Sequence, residues 1–319
     1  MSALDRRTFL KGAAVSAGAV ALGGALGSTA ALAAAPPPLP DATFCQFGID
    51  IALLGTTNTF PQELNDHRPV YNNLDFPHVR IFADTPVTWS DARYQACRVG
   101  DKPVQSFKTW NLPAFNAWMT SIPANVPEAW ICYFHEPENN IKTGPLTPTQ
   151  YRNTYQNMHN ARVNHANGNK VRLVKIFMRY QQVIVPTPQT DWHNLHGGQM
   201  FVDALGMDCY DSKAALNNGY LTGPELLGEA RSMGAETGLN WCVPEIGAVL
   251  SGTDPGSGRY QAMKNEWVPY LKATRDGAGP ALWANWWCAA GNEGSGKDYH
   301  LDTYPGALQV WRDQMAASQ

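Results

Sequence analysis

Eight short apolar runs punctuate this chain, most of them separated by segments of helical spacing. They are Phe44–Ile51 (FCQFGIDI), His78–Ala83 (HVRIFA), Pro103–Thr109 (PVQSFKT), Trp130–Phe134 (WICYF), Lys170–Tyr180 (KVRLVKIFMRY), Ala204–Cys209 (ALGMDC), Asn240–Ile246 (NWCVPEI) and Ala281–Ala289 (ALWANWWCA). Runs of this kind read as strands buried on both faces. Strands that alternate with helical patterns argue for βαβ units and a parallel sheet, and eight such units close a barrel. An open doubly wound sheet would want a Gly-rich phosphate turn after its first strand, which Gly48-Ile49-Asp50 does not supply. The expected fold is α/β, a (β/α)8 TIM barrel forming a single domain over residues 44–319.

The intervening segments carry their own punctuation. Leu112–Ile122 has apolar residues at helical spacing, with Pro113 in its first turn. Thr147-Pro148 opens a helix that runs to about Ala166 and is ended by Gly168. Gly223-Pro224 begins another that ends near Gly238. Tyr260–Arg275 is amphipathic and closed by Gly277, and Tyr304–Ala317 forms the last helix. Gly55–Asn65 reads as a turn-rich loop.

The start of the chain stands apart. Asp5-Arg6-Arg7-Thr8-Phe9-Leu10-Lys11 is a twin-arginine pattern, followed by a weakly apolar Ala/Gly/Val run and by Ala31-Leu32-Ala33. Charged region, apolar region and small-residue cleavage site together predict an export signal over residues 1–33. A short Pro-rich linker over 34–43 contains Pro36–Pro40 (PPPLP). The expectation is a secreted protein, exported folded, with no stable membrane association once the signal is removed, and monomeric. Removal leaves roughly 285 residues, the size of one barrel. The net charge of −3 becomes about −5 without Asp5, Arg6, Arg7 and Lys11, so nothing points to a nucleic-acid partner. Six cysteines lie outside the signal, at Cys45, Cys97, Cys132, Cys209, Cys242 and Cys288, with no CxxC pair. A zinc ribbon is thereby disfavoured, and both disulfides and buried thiols stay open.

Catalytic groups of a βα-barrel sit at the C-terminal ends of its strands. The run WICYF stops at His135-Glu136-Pro137, where a proline without an N–H cannot continue the ladder. The seventh run ends at Glu245. Two carboxylates are thus expected at one mouth, the arrangement that glycosidic hydrolysis needs: an acid for the leaving oxygen and a second group to attack the anomeric carbon or activate water. Around them the strand ends offer Asp50, Arg80, Asp84, Lys108, Trp110, Tyr210, Asp211, Asn285, Trp286 and Trp287. Eleven Trp and twelve Tyr suit the stacking faces of sugars as well as a core. Trp110, placed after a strand, favours the pocket, and Trp283, inside one, favours the core. Asp208 lies within a strand and needs a buried partner. Glu138 is balanced between a supporting role and a solvated loop. His193, His196 and His300 read as loop or surface residues, and no metal or cofactor is expected.

At these residues the chain resembles the clan A glycoside hydrolases. His135-Glu136-Pro137 and Pro244-Glu245-Ile246-Gly247 carry the resemblance. The histidine before Glu136 is similar to family 26, the β-mannanase-like group. Ser106-Phe107-Lys108, Gly206-Met207-Asp208-Cys209-Tyr210 and Asn285-Trp286-Trp287 fit the same scheme. The resemblance implies a retaining, endo-acting hydrolase of β-mannan or a related β-glycan, of exported actinobacterial type. Glu136 would be acid/base, Glu245 nucleophile, Arg80 its orienting cation and His135 its neighbour, with Tyr210 and Trp287 beside the reacting sugar. Lys108, Trp110 and Trp286 complete the expected substrate-binding set. Asn139-Asn140 and Ile246 depart from the pattern. The competing expectation is a catalytically inactive carbohydrate-binding barrel.

Overall fold

The structure, a computed structural model, describes Leu39 and residues 42–51, 58–212, 219–250, 254, 256–288, 299–302 and 304–319. The export signal and most of the Pro-rich linker lie outside these residues. Eight parallel strands follow one another in a single sheet: β1 Gln46–Ile51, β2 Arg80–Ala83, β3 Val104–Phe107, β4 Ala129–Tyr133, β5 Val171–Met178, β6 Ala204–Asp211, β7 Asn240–Ala248 and β8 Trp283–Cys288. The hydrogen-bonded order is β1-β8-β7-β6-β5-β4-β3-β2, which wraps the sheet into a (β/α)8 barrel. Side chains bridge the seam between β1 and β2. His78 meets Gln46 at 2.8 Å, and Asn285 Nδ2 donates to the His78 carbonyl at 2.6 Å. Backbone also comes close there: a Cβ at Gly48 would lie 2.3 Å from the Pro77 carbonyl oxygen, which is why β1 carries a glycine at this point.

Alternate strand residues divide into two sets, as a period of two requires. Val104, Trp130, Cys132, Val174, Ile176, Ala204, Cys242 and Trp283 form one buried cluster, drawn from the strands alone, that fills the barrel. His78 stacks on Trp283 at 4.2 Å and caps this cluster. The opposite set, including Phe47, Ile131, Leu205 and Ile246, packs against the helices. Trp311, on the last helix, is fully buried and donates to the Gly48 carbonyl at 2.8 Å, tying that helix to β1.

The helices are α1 Phe60–Val70, α2 Ala92–Gln95, α3 Leu112–Thr120, α4 Glu138–Thr143, α5 Pro148–Val163, α6 Trp192–His196, α7 Gly223–Thr237, α8 Ser257–Ala262, α9 Val268–Lys272 and α10 Pro305–Ala317. Capping explains the starts of α5 and α7. Thr147 and Gln150, and likewise Thr222 and Glu225, satisfy each other's backbone N–H groups. Gly238 ends α7 with φ +69°.

Three expectations need correction. The segment read as a loop over Gly55–Asn65 contains the start of α1. Its buried face is Phe60, Leu64 and Arg68, so its third inward residue is a cation, held by Asp101, instead of an apolar one. Tyr260–Arg275 is not one regular helix: a π-helical turn over Met263–Trp267 separates α8 from α9. Pro269 supplies no N–H to close an α-helical turn there. Lastly, His193 and His196, read as loop or surface residues, both lie in α6; Asn139-Asn140 fall in α4. The six thiols are unpaired, all buried except the half-buried Cys97. No described helix is long and apolar enough to cross a membrane.

Candidate active site

Two local devices bring Glu136 and Glu245 to the barrel mouth. On β4 the ladder ends at Tyr133, and the next residues take unusual backbone conformations, with φ +48° at Phe134 and +50° at Glu136. Left-handed conformations outside glycine cost roughly 1–3 kcal/mol each and persist only where the surroundings fix them. Here the Phe134 N–H donates to the Phe107 carbonyl at 2.6 Å and the Glu136 N–H to the Ile176 carbonyl at 2.9 Å, pinning the tip between β3 and β5. On β7 the registers with β6 and β8 both slip between Val243 and Ile246, leaving one extra residue on β7. This is a β-bulge, and Pro244, which cannot donate to a ladder, occupies it. The bulge turns Glu245 inward while Ile246 still packs outward with the helices.

Arg80 is the hub of the site. It is fully buried, and its Nη1 donates to Glu245 at 2.6 Å and reaches Asp208 at 3.4 Å. Its Nη2 donates to Ser106 Oγ at 3.0 Å, and its Nε lies 3.7 Å from Asp50. Tyr210 donates from its hydroxyl to the other Glu245 oxygen. Phe82 lies under the guanidinium, 4.8 Å from its ring centre, and the His135 ring packs on Phe82 at 5.1 Å. Tyr210 meets Trp287 edge-on at 6.3 Å and Tyr299 at 5.5 Å.

The electrostatics follow from one cation among four carboxyls. Burial works against the charge of Arg80, but Glu245, Asp208 and Asp50 together hold its pKa above the ordinary value. Burial and the neighbouring Glu245 charge raise Asp208 well above the carboxylate range. Burial likewise raises Asp50 well above it. Neither oxygen of Asp50 receives a well-formed hydrogen bond from an N–H or O–H group. The Arg80 Nε, 3.7 Å away, draws its pKa down and the Glu245 charge pushes it further up, but burial is the largest cause. Glu136 is pushed up to about 8 by burial, then by the Glu245 and Glu138 charges. His135 is held neutral by burial and by the Arg80 and Lys108 charges. An acid that keeps its proton thus faces a carboxylate held by a guanidinium and a phenol.

The nearest oxygens of Glu136, Asp208 and Glu245 lie within 4.8 Å of one another. Three carboxylates can hold a divalent cation. Arg80 already places its positive charge on two of these three, which opposes a second one at the same oxygens.

Of the residues expected here, Arg80, His135, Glu136, Tyr210, Glu245 and Trp287 come together. Lys108 is exposed, and its charge acts on His135 and Glu136. Trp286 is not in the site. Neighbours on a strand face opposite sides, so with Trp287 inward Trp286 points outward, fully buried against Trp267 and Trp311. Trp110 packs on Phe107 and Phe115 and lines a cleft between α3 and α5 instead. Asp208 has found its buried partner in Arg80. Glu138 is a buried tie: it accepts from the Met178 N–H at 2.9 Å and from Gln182 at 2.7 Å. His193 is exposed on α6 between Asp191 and Glu236, whereas His196, on the same helix, is buried and His300 packs edge-on against His67. Sequence reasoning gave Asp50 no role, although it stands two residues beyond Gly48 on the inward face of β1. That parity was the available signal.

These protons have a consequence for stability. Glu136 and Glu138 keep theirs to about 8 and about 7 in the folded chain, against about 4.3 in an unfolded one. The folded state therefore binds more protons over that window. The stabilisation is complete below pH ~4 and is lost as pH rises through 7 to 8, by roughly 1.4 kcal/mol per pH unit for each group. Buried His78 and half-buried His135, whose pKa values are lowered chiefly by desolvation, act oppositely below about pH 6.5. The melting temperature is expected to peak near pH 6 and to fall by several degrees toward pH 8.5. Calorimetry of wild type and Glu136→Gln checks this, since the variant should show a shallower alkaline fall.

A parallel barrel with an Arg-held carboxylate and a protonated one at its mouth is the class that fold and site define together. Solved structures share that barrel. The chain superposes on an exo-β-1,4-mannosidase from Opitutaceae bacterium strain TAV5 with a TM-score of 0.55 and 15% identity, covering 88% of this chain and 61% of that one. It therefore spans less than two thirds of that structure. A fungal β-1,4-galactanase gives 0.53 at 13% identity, over 84% and 99% of the two chains. The catalytic domain of a Bacillus sp. JAMB-750 GH26 endo-β-1,4-mannanase gives 0.50 at 15% identity, over 85% and 86%. The likeness at these identities is one of fold. No family model matches the chain, and no curated protein matches it in sequence.

Proposed function

We propose that this protein is a retaining glycoside hydrolase that cleaves an internal bond of a β-linked glycan, β-mannan or a related polysaccharide, and that it acts outside the cell. The observation that carries the reading is the pairing of Glu136 and Glu245. Their nearest oxygens lie within 4.8 Å, and their surroundings push them to opposite roles. Separations near 5–5.5 Å between carboxyl groups suit a double displacement, whereas inversion needs about 6.5–9.5 Å to admit a water. Glu136 then protonates the leaving oxygen while Glu245 attacks the anomeric carbon. In the second step Glu136, now ionised, takes a proton from the water that releases the sugar. The structural neighbours whose names include mannosidase, mannanase and galactanase support the substrate class. The twin-arginine pattern supports export.

The experiment is reducing-sugar release by the purified protein on β-mannan, β-galactan, β-glucan and xylan. It is paired with an NMR record of which anomer appears first. A β anomer from a β-linked substrate supports retention, and an α anomer removes Glu245 as nucleophile. A glycan that binds but is never cut favours the binding-barrel reading instead.

Asp50 gives a finer test of the same site. Asp50→Asn keeps a neutral polar group of the same shape beside Arg80 and is expected to stay within a few fold of wild type. Asp50→Ala removes the group that faces the buried Arg80 Nε, a loss of about 1–3 kcal/mol for a buried polar group left alone, and is expected to slow turnover by roughly ten- to a hundred-fold. Equal losses in the two variants would show that the site needs the Asp50 carboxyl itself and not a neutral group of its shape.

A further inference from the structure

On the outside of the barrel, Trp110, Leu112 and Asn116 face Asn157, Asn160, Ala161, Asn164 and His165 across a cleft of about 530 Å3. That volume falls in the range of small-ligand sites. We propose that this cleft between α3 and α5 is a second carbohydrate-binding site, which holds a neutral glycan chain apart from the carboxylate cluster. The inference builds on the glycan-active reading above, and its test is chosen to separate the two.

The composition of the lining selects the ligand. It contains no Asp, Glu, Lys or Arg, so neither an anion nor a cation finds a countercharge. Its only titratable side chain, His165, has a pKa lowered by burial. Both ring nitrogens of His165 are engaged within the protein, by Thr120 and by the Asn167 N–H. Only Leu112 and Ala161 offer aliphatic surface, too little for an apolar peptide. What remains is an indole fixed against Phe107 and Phe115 and a row of amides. An amide offers both donors and acceptors, and a sugar hydroxyl needs both. An indole face suits the C–H face of a pyranose.

The amides are available. No hydrogen bond within the described residues uses the side chains of Asn116 or Asn157. The Asn160 side-chain oxygen accepts from Gln156, which leaves its NH2 group free. The Asn164 NH2 donates to the Asn160 carbonyl, which leaves its side-chain oxygen free. Asn157, Asn160 and Asn164 follow one another at spacings of three and four, so the first two stand in one row on α5 and Asn164 continues it at the C-cap. Asparagine is a poorer helix former than alanine or the long polar residues. A row of it on an exposed helical face runs against local propensity, and the unpaired amides give it no folding role in return.

Native gels cast with soluble β-mannan, β-galactan or β-glucan test the site, using Glu245→Ala as the parent so that the glycan is not consumed. The parent is expected to be retarded by at least one of them. Adding Asn116→Ala and Asn157→Ala, or Trp110→Ala, is expected to weaken that retardation at least tenfold. The asparagine double variant should melt at or above the temperature of its parent, since alanine favours the helix, so its loss of binding cannot be assigned to misfolding. In the wild-type background the same double variant should cleave a short aryl glycoside at an unchanged rate. The proposal is overturned if no glycan retards the parent, or if retardation survives both the asparagine pair and Trp110→Ala. Binding that depends on the cleft, with no hydrolysis by wild type, keeps the second site and removes the hydrolase. Hydrolysis by wild type, with retardation indifferent to the cleft, does the reverse.

Discussion

Glu245→Ala is expected to abolish glycan hydrolysis, lowering kcat on the order of 10⁴- to 10⁶-fold, the scale seen when a covalent nucleophile is removed. The geometry says why no neighbour replaces it. Asp208 and Asp50 are the nearest carboxyls to Arg80, but both are raised above the carboxylate range, so neither offers a ready anion. Asp50 and Asp208 are also fully or almost fully buried, and Asp208, though its nearest oxygen lies within 4.8 Å of Glu136, is tied to Arg80. The fold should survive. Arg80 keeps Ser106 and the two aspartates as partners. The variant should therefore melt within a few degrees of wild type and still bind glycan, while rate assays and intact-mass analysis detect no turnover and no glycosyl adduct. Wild-type activity that survives this substitution would remove the double displacement.

The barrel was legible because a parallel strand buried on both faces leaves an apolar run and its crossover helix leaves a period of about 3.6. Neither signal depends on distant residues. Proline made the tip of β4 legible at Pro137, but Glu245, expected to end its strand, stands at a bulge inside β7, which runs on to Ala248. Other features were hidden for identifiable reasons. In α1 the inward stripe ends in Arg68, and only the distant Asp101 makes a cation acceptable there. Trp286 and Trp287 look equivalent in the chain, yet period-two alternation allows only one to face the mouth. Applying that parity to β8 from Trp283, a core residue, would have chosen Trp287. At β7 the same parity would have misplaced Glu245 on the helix-facing side with Trp241 and Val243, and only the bulge at Pro244 turns it inward. Asp50 was visible as a strand residue, but its role arises from three other strands meeting Arg80, which no local pattern encodes. Trp110 was rightly read as standing after a strand. Its direction depends on Phe107 and Phe115, and they turn it toward the α3–α5 cleft.

Glu136→Gln is expected to leave the first chemical step slow by on the order of 10²- to 10⁴-fold for natural glycans, the usual contribution of a positioned acid. The loss should depend on the leaving group. A sugar alkoxide is a poor leaving group and needs the proton, whereas a nitrophenolate departs without it. Aryl glycosides with acidic phenols should therefore keep far more of their wild-type rate than polysaccharide does. Glu136→Gln then differs in kind from Glu245→Ala, which silences both substrates equally. The pH profile supplies an independent sign. Glu136 must be protonated to act, and its carboxyl is held up to about 8, so wild-type kcat/KM on polysaccharide should fall as pH rises past that value. Glu136→Gln carries no proton to lose at that position, and its residual activity should be flat across the same limb. A wild-type alkaline limb that persists unchanged in Glu136→Gln would assign the titration to another group and leave Glu136 without the acid role. The strained backbone at Phe134 and Glu136 makes the same point structurally. Left-handed φ values at the end of a strand are kept only where neighbours enforce them, and here β3 and β5 hold the one carboxyl that has to stay neutral beside an anion.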